Sequence, residues 1–146
     1  MYIYVICPVR NVTEEQTKEI ADYVAALEKE GHRVHYPPRD VNQNDETGIN
    51  IVGAHMAAMR AVNRVDIFWD KTSSGSHFDL GMAMANGKRI KLVKTYQEDN
   101  PGKSYVKVMQ TIESCDKVLL EVEKSLLGMT KQAMLERSEK QNKTKE

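Results

Sequence analysis

Apolar and polar positions fall into two kinds of block along the chain. Short, almost unbroken apolar runs (2–7, 33–36, 65–69 and 89–94) alternate with longer stretches (14–31, 49–63 and 77–86) that place an apolar residue every three or four positions. A run apolar on both sides suits a strand buried on both faces of a sheet, and the longer period suits a helix packed by one stripe. The order β-α-β-α-β-α-β predicts an α/β fold, a flavodoxin-like or Rossmann-like three-layer sandwich. Each crossover between parallel strands returns through a helix, so a parallel sheet of four to five strands carries helices on both faces. The commonest strand order for such a sheet is 2-1-3-4.

Punctuation supports these boundaries. Ile20, Val24 and Leu27 mark the first helical stripe, Thr13 is placed to cap it with Gln16 three residues on, and Gly31 stops it. Gly87 ends the third helix. The segment 37–48 is polar and turn-rich, and its length suits either a binding loop or a surface excursion. A turn is expected at 98–102, then a helix over 104–113 with Val108 and Ile112 on one face. A last amphipathic segment, 117–137, carries Leu119, Val122, Leu126, Leu127, Met134 and Leu135. It forms a C-terminal helical extension that closes the core or meets a partner chain. Residues 138–146 hold no apolar side chain and are expected to be a disordered polar tail, leaving one domain over 1–137.

Composition narrows the partners. The chain has 146 residues, 40% of them hydrophobic, enough for a core without staples. Its 21 Lys and Arg cancel 21 Asp and Glu, so no net field draws it to a nucleic-acid polymer or a membrane surface, and small molecules are the expected partners. The N-terminal run is too short for a signal or a span, which predicts a cytoplasmic location. Cys7 and Cys115 have neither disulfide-framework nor zinc spacing, the histidines lack partners at ligand spacing, and no metal or cofactor is expected.

Chemistry concentrates where the third strand empties into Asp70-Lys71-Thr72-Ser73-Ser74-Gly75-Ser76 and opens a helix. Backbone N–H groups at a helix start favour an anion. In order 2-1-3-4 the sheet reverses between strands one and three, so the loop after strand one brings the Arg10 guanidinium beside this cradle. Asp79, one turn inside the helix, is the candidate reacting carboxylate. Ser76-x-x-Asp79 also reads as a capping box with Asp in place of Glu, and the pattern leaves both readings open. Asp70 at the strand end, Tyr4 on strand one and His55 on the second helix are further site candidates. His77 is a general acid or base, or a helix-start histidine with no task; His32 and His35 are expected at the surface. Gly81, Ala83 and Ala85 suit close packing of helix on sheet, and Met82 and Met84 fill the core or its flank.

These residues resemble the nucleoside 2-deoxyribosyltransferase-like family, which includes 2′-deoxynucleoside 5′-monophosphate N-glycosidases. Tyr4 and Arg10 match its Tyr-x-x-x-x-x-Arg element. Ser73, Gly75, Asp79, Leu80, Gly81, Ala83 and Lys88 match its S-x-G-x-x-x-E-L-G and A-x-x-x-x-K elements, and the likeness spans residues 2–95. The resemblance implies that Asp79 attacks the anomeric carbon, that Tyr4 orients it, and that Arg10 with Ser73, Gly75 and Ser76 holds a 5′-phosphate. His55 falls near a histidine of the family. A homodimer or higher homo-oligomer is also implied, since the family builds its site at a subunit interface. Two positions depart from the pattern: Asp79 stands for Glu, and Ala58 stands where the nucleotide hydrolases carry a sugar-binding acid. The leading expectation is cleavage or transfer of the N-glycosidic bond of a nucleoside or nucleoside 5′-monophosphate. The alternative is a non-catalytic nucleotide-binding module, and a third reading is an unrelated α/β domain in which Ser76 and Asp79 only cap a helix.

Overall fold

The computed structural model describes residues 1–97 and 102–143, with side chains as far as 134. Most of the expected turn at 98–102, the side chain of Leu135 and the last three residues of the expected tail lie outside the described residues. The chain divides into two units, Met1–Glu113 and Ser114–Glu146.

The first unit runs β1 (Tyr2–Ile6), α1 (Glu14–Lys29), β2 (Arg33–His35), α2 (Pro37–Asp40), α3 (Ile49–Ala61), β3 (Arg64–Trp69), α4 (Ser74–Ala85) and β4 (Arg89–Thr95), and takes in the first turns of α5 (Tyr105–Lys143). Its four strands are all parallel in the order β2-β1-β3-β4, as the alternation predicts. The central strands are buried on both faces, so successive side chains feed two separate cores. Ile3 and Val5 point to one side, where Ile20, Val24 and Leu27 of α1 cover them together with Phe68. Tyr4 and Ile6 point to the other, under Met59 of α3, Leu80 and Ala83 of α4, and Val106 and Met109 of α5. Burial of these side chains is the main driving force for the sandwich, at about 1.5–3 kcal/mol for each large one fully enclosed.

Local chemistry sets the boundaries. Thr13 Oγ1 accepts from the Gln16 amide at 3.1 Å while Gln16 Oε1 accepts from the Thr13 amide at 2.9 Å, a reciprocal cap on α1. Segment 37–48 is tied down throughout. Pro37 and Pro38 open the short α2, Arg39 bonds Glu28 at 2.9 Å and Asp40 at 2.7 Å, and the Asp45 carboxylate accepts from the first-turn amides of Asn50 and Ile51 in α3. Asp66 is fully buried on β3, where Arg64 donates to both its oxygens (2.6 and 2.8 Å) and the Tyr23 hydroxyl donates at 2.7 Å, so the charge is compensated where it lies.

Three expectations need correction. Helix α4 starts at Ser74 rather than 77, because Ser73 supplies the cap. Gly81 and Ala85 are exposed and no atom lies within 4 Å of a Cβ built on Gly81, so only Ala83 makes the close helix–sheet contact. The expected helices at 104–113 and 117–137 are one element, since the Ser114-Cys115-Asp116 junction holds neither Gly nor Pro to break it. In the second unit this helix exposes Val118, Leu119, Val122, Leu126, Leu127, Met129 and Met134. No helix among the described residues is long and apolar enough to cross a membrane.

Candidate active site

Tyr4 sits at the middle of β1, where its register partners are His35 on β2 and Val65 on β3. Cross-strand partners share a face of the sheet, and the Tyr4 and His35 rings pack 4.9 Å apart. Helix α4 covers this face and turns Ser76, Asp79, Leu80 and Ala83 inward. The Tyr4 hydroxyl donates to Asp79 Oδ2 at 2.9 Å in a buried hydrogen bond. From α3, His55 Nδ1 lies 3.2 Å from Asp79 Oδ1. A strand and a helix each bring one group to a carboxylate carried by a second helix. The Nε2 atoms of His35 and His55 are both buried without a hydrogen-bond partner.

The start of α4 resolves the two readings of Asp79. Ser73 Oγ accepts from the Ser76 amide at 3.2 Å and from the Ser76 hydroxyl at 2.9 Å, so Ser73 is the cap and Ser76 closes its turn. Asp79 lies in the second turn, and its oxygens go to Tyr4 and His55 instead of to the helix start. The helix dipole acts within the first turn. Asp79 is therefore held by discrete hydrogen bonds from other elements.

A cavity of about 350 Å³ opens over this carboxylate. Asp79, His55, Arg10, Ser73 and Gly75, all singled out from the sequence, line it together with Cys7, Val9, Asn11, Pro37, Gln43, Ile51, Thr72 and Ser74. No atom lies within 4 Å of a Cβ built on Gly75, which leaves the space in front of the helix start open. Asn11, directly after Arg10, takes a left-handed backbone (φ 58°) that turns the chain at the cavity edge. Three other sequence candidates act from behind the wall. Tyr4 reaches the cavity through Asp79; Ser76 is only 1% exposed and braces the cap; Asp70 accepts from the Thr72 amide and hydroxyl and from Gln97 Nε2, each at 2.7 Å, and so shapes the loop.

Burial and the Asp79 charge raise the Tyr4 phenol far above its ordinary range and push the Cys7 thiol up to about 12. Tyr4 is thus a lasting hydroxyl donor, and Cys7 stays a thiol with no nucleophilic role at neutral pH. Burial also lowers His35, which favours a neutral ring. His35, expected at the surface, is 8% exposed; its register with Tyr4 is what draws it inward. His77 packs against Trp69 and Tyr105, with Nδ1 2.8 Å from the Ser73 carbonyl oxygen, and does not line the cavity. Ala58 lies in the core, so the cavity takes His55 and Ile51 from α3 and no acid from that position. Lys88 serves the scaffold: its amine donates to the carbonyls of Arg60 and Val62 at 3.0 and 2.8 Å and closes the end of α3. Among the described residues no three His, Cys, Asp or Glu side chains converge as a metal site.

No protein-family model and no curated protein sequence matches the chain. Solved structures do. A CMP N-glycosidase, BcmB, from Clostridium botulinum superposes with a TM-score of 0.55 at 18% identity, covering 77% of this chain and 82% of that one. A 2-deoxyribosyltransferase from Bacillus psychrosaccharolyticus superposes with a TM-score of 0.55 at 20% identity, covering 68% and 77%. The chain has the nucleoside 2-deoxyribosyltransferase-like fold. In that fold, as in other parallel sheets, the carboxyl ends of the strands beside the reversal of order form the crevice. Here β1 and β3 end at Cys7 and Asp70, and the cavity lies where their loops meet.

Proposed function

We propose that the protein cleaves or transfers the N-glycosidic bond of a nucleoside or nucleoside 5′-monophosphate, with Asp79 as the nucleophile. The observation that carries this reading is a buried carboxylate held by the Tyr4 hydroxyl at 2.9 Å and His55 at 3.2 Å inside a cavity edged by a guanidinium and an open helix start. The fold shared with an N-glycosidase and a deoxyribosyltransferase supports the same reaction class.

In this reaction an Asp79 oxygen bonds to the anomeric carbon as the carbon–nitrogen bond breaks, and the base leaves with the electron pair and takes a proton. Water, or a second base, then attacks the same carbon and releases Asp79. Tyr4 keeps Oδ2 in place, which orients the other oxygen towards the cavity. His55, beside Oδ1, is the group lining the cavity suited to exchange the proton. Arg10 and the Ser73–Gly75 start of α4 bind the 5′-phosphate through a guanidinium fork and backbone amides. The shorter Asp is accommodated because Tyr4 and His55 both reach it directly, so the reacting position is set by these contacts.

Free-base release from a panel of ribo- and deoxyribonucleosides and their 5′-monophosphates, measured by liquid chromatography with Asp79→Ala alongside, tests the proposal. Release that depends on Asp79 is the expected result. Saturable binding without release from any compound would instead assign a nucleotide-binding module that keeps the cradle and lacks turnover.

A further inference from the structure

Helix α5 carries a second pattern that the cavity does not use. Cys115, Leu119, Val122, Leu126, Met129 and Ala133 follow one another at alternating spacings of four and three residues, and Val108 and Ile112 continue the series backwards. Lys117, Lys124 and Lys131 recur every seventh residue on the opposite face. Leu119, Val122, Leu126 and Met129 are each at least half exposed. Within the first unit, the opening turns of the same helix border an apolar groove of about 680 Å³ lined by Tyr105, Val108 and Ile112, which belong to the same spacing.

We infer that α5 is a self-association helix, packing in parallel against α5 of another copy of this chain. A strict seven-residue apolar repeat drifts about 20° per heptad around a straight helix, so over four heptads it stays on one line only when a second helix winds around it. A flat sheet or a globular surface does not call for such a repeat. The partner is therefore helical and has the same period, which a second copy supplies. Flanking charges select the direction. In parallel register Thr111 of one copy lies opposite Asp116 of the other, Val118 opposite Glu123 and Ser125 opposite Thr130, so no like charges meet. An antiparallel pair with full overlap would set Glu123 beside Glu123 of its mate. The lysine stripe faces water in the parallel arrangement. Val118 flanks the seam and widens its apolar face, whereas Leu127 lies beside the lysine stripe.

The test uses the full chain. Light scattering at micromolar concentration is expected to give two or more copies, and mild thiol oxidation is expected to join copies through Cys115, which is exposed and lies in the seam, while Cys7 is buried. Cys115→Ser should abolish the cross-link and keep the mass. Leu119→Asp with Leu126→Asp should weaken association at least tenfold. A monomeric wild type, an oligomer that never cross-links through Cys115, or an oligomer unaffected by the double substitution would each overturn the proposal. Mass and cross-linking of the wild type decide it even if the double variant loses helix content.

Discussion

Tyr4 and Asp79, 75 residues apart in the chain, meet in a buried hydrogen bond of 2.9 Å between the phenol and the carboxylate. The bond joins the middle of the sheet to the second turn of α4 and leaves Asp79 only 6% exposed, at the inner wall of the cavity. If Asp79 is the nucleophile, Tyr4→Phe should lower kcat for base release about 10²-fold, the scale of misplacing a reacting group by about 1 Å. It should also reduce unfolding free energy by about 1–3 kcal/mol, because a carboxylate oxygen loses its partner in a buried place. Asp79→Asn keeps an acceptor for Tyr4. It should therefore hold stability better while abolishing release by on the order of 10³-fold or more. Chromatographic rates and urea titrations of the two variants separate these effects.

Among the described residues lining the cavity, Arg10 is the only lysine or arginine. Arg10→Gln should raise KM for a nucleoside 5′-monophosphate about 10- to 100-fold, the range of a charge-assisted contact of about 1.5–3 kcal/mol, and leave the matching nucleoside nearly unchanged. An equal loss on both substrates would show that Arg10 does not meet the phosphate.

His35 gives the fold a pH dependence of definite sign. Burial lowers its pKa from the ordinary 6.5, even though the Asp40 and Asp79 carboxylates pull the other way and His55 and Arg39 add to the lowering. The unfolded chain therefore takes up a proton at a pH where the folded chain does not. Stability from the neutral ring is present above pH 6.5 and is lost as pH falls through the window below it. Asp40, whose pKa lies below its ordinary 3.8, adds nothing to that window. Thermal unfolding at pH 7.5 and 5.5 should show a drop in Tm for the wild type and a smaller drop for His35→Phe.

Much of this was legible in the sequence, for physical reasons that also mark where it stopped. Strand runs and helix stripes report burial directly, so the order β2-β1-β3-β4 and the cores around Ile20, Val24, Leu27, Tyr4 and Ile67 follow from local pattern plus the rule for crossovers. Asp79, Arg10, Ser73 and Gly75 could be picked out because their chemistry is unusual beside strand ends and helix starts, and His55, in mid-helix, because it falls near a histidine of the family. The cap of α4 was misplaced because Ser73, Ser74 and Ser76 are all competent caps, and the choice depends on which amide each reaches in three dimensions. His35 was missed because strand register, which sets it against Tyr4, is a non-local property. Gln43 and Asn11 reach the cavity through backbone turns that carry no periodic signal.

Lys88 shows how one motif mixes roles. It belongs to the residues that carry the family resemblance, yet its amine is spent on the Arg60 and Val62 carbonyls. Lys88→Ala should cost about 1–3 kcal/mol in urea unfolding, since two carbonyls at the end of α3 lose their donor. Base release measured well below the unfolding midpoint should keep its wild-type kcat. A selective fall in kcat without loss of stability would instead place Lys88 in the chemistry.

The cavity draws its inner wall and its outer edge from different kinds of backbone. Asp79, His55 and their support Tyr4 sit on α4, α3 and β1, whereas Val9, Arg10, Asn11, Gln43 and Thr72 come from connecting segments. Loops tolerate replacement far better than packed elements do. On the proposed reaction, selectivity is thereby modular in this architecture: grafting a different edge segment can exchange the molecule that is admitted while Asp79 and its supports beneath it are kept intact.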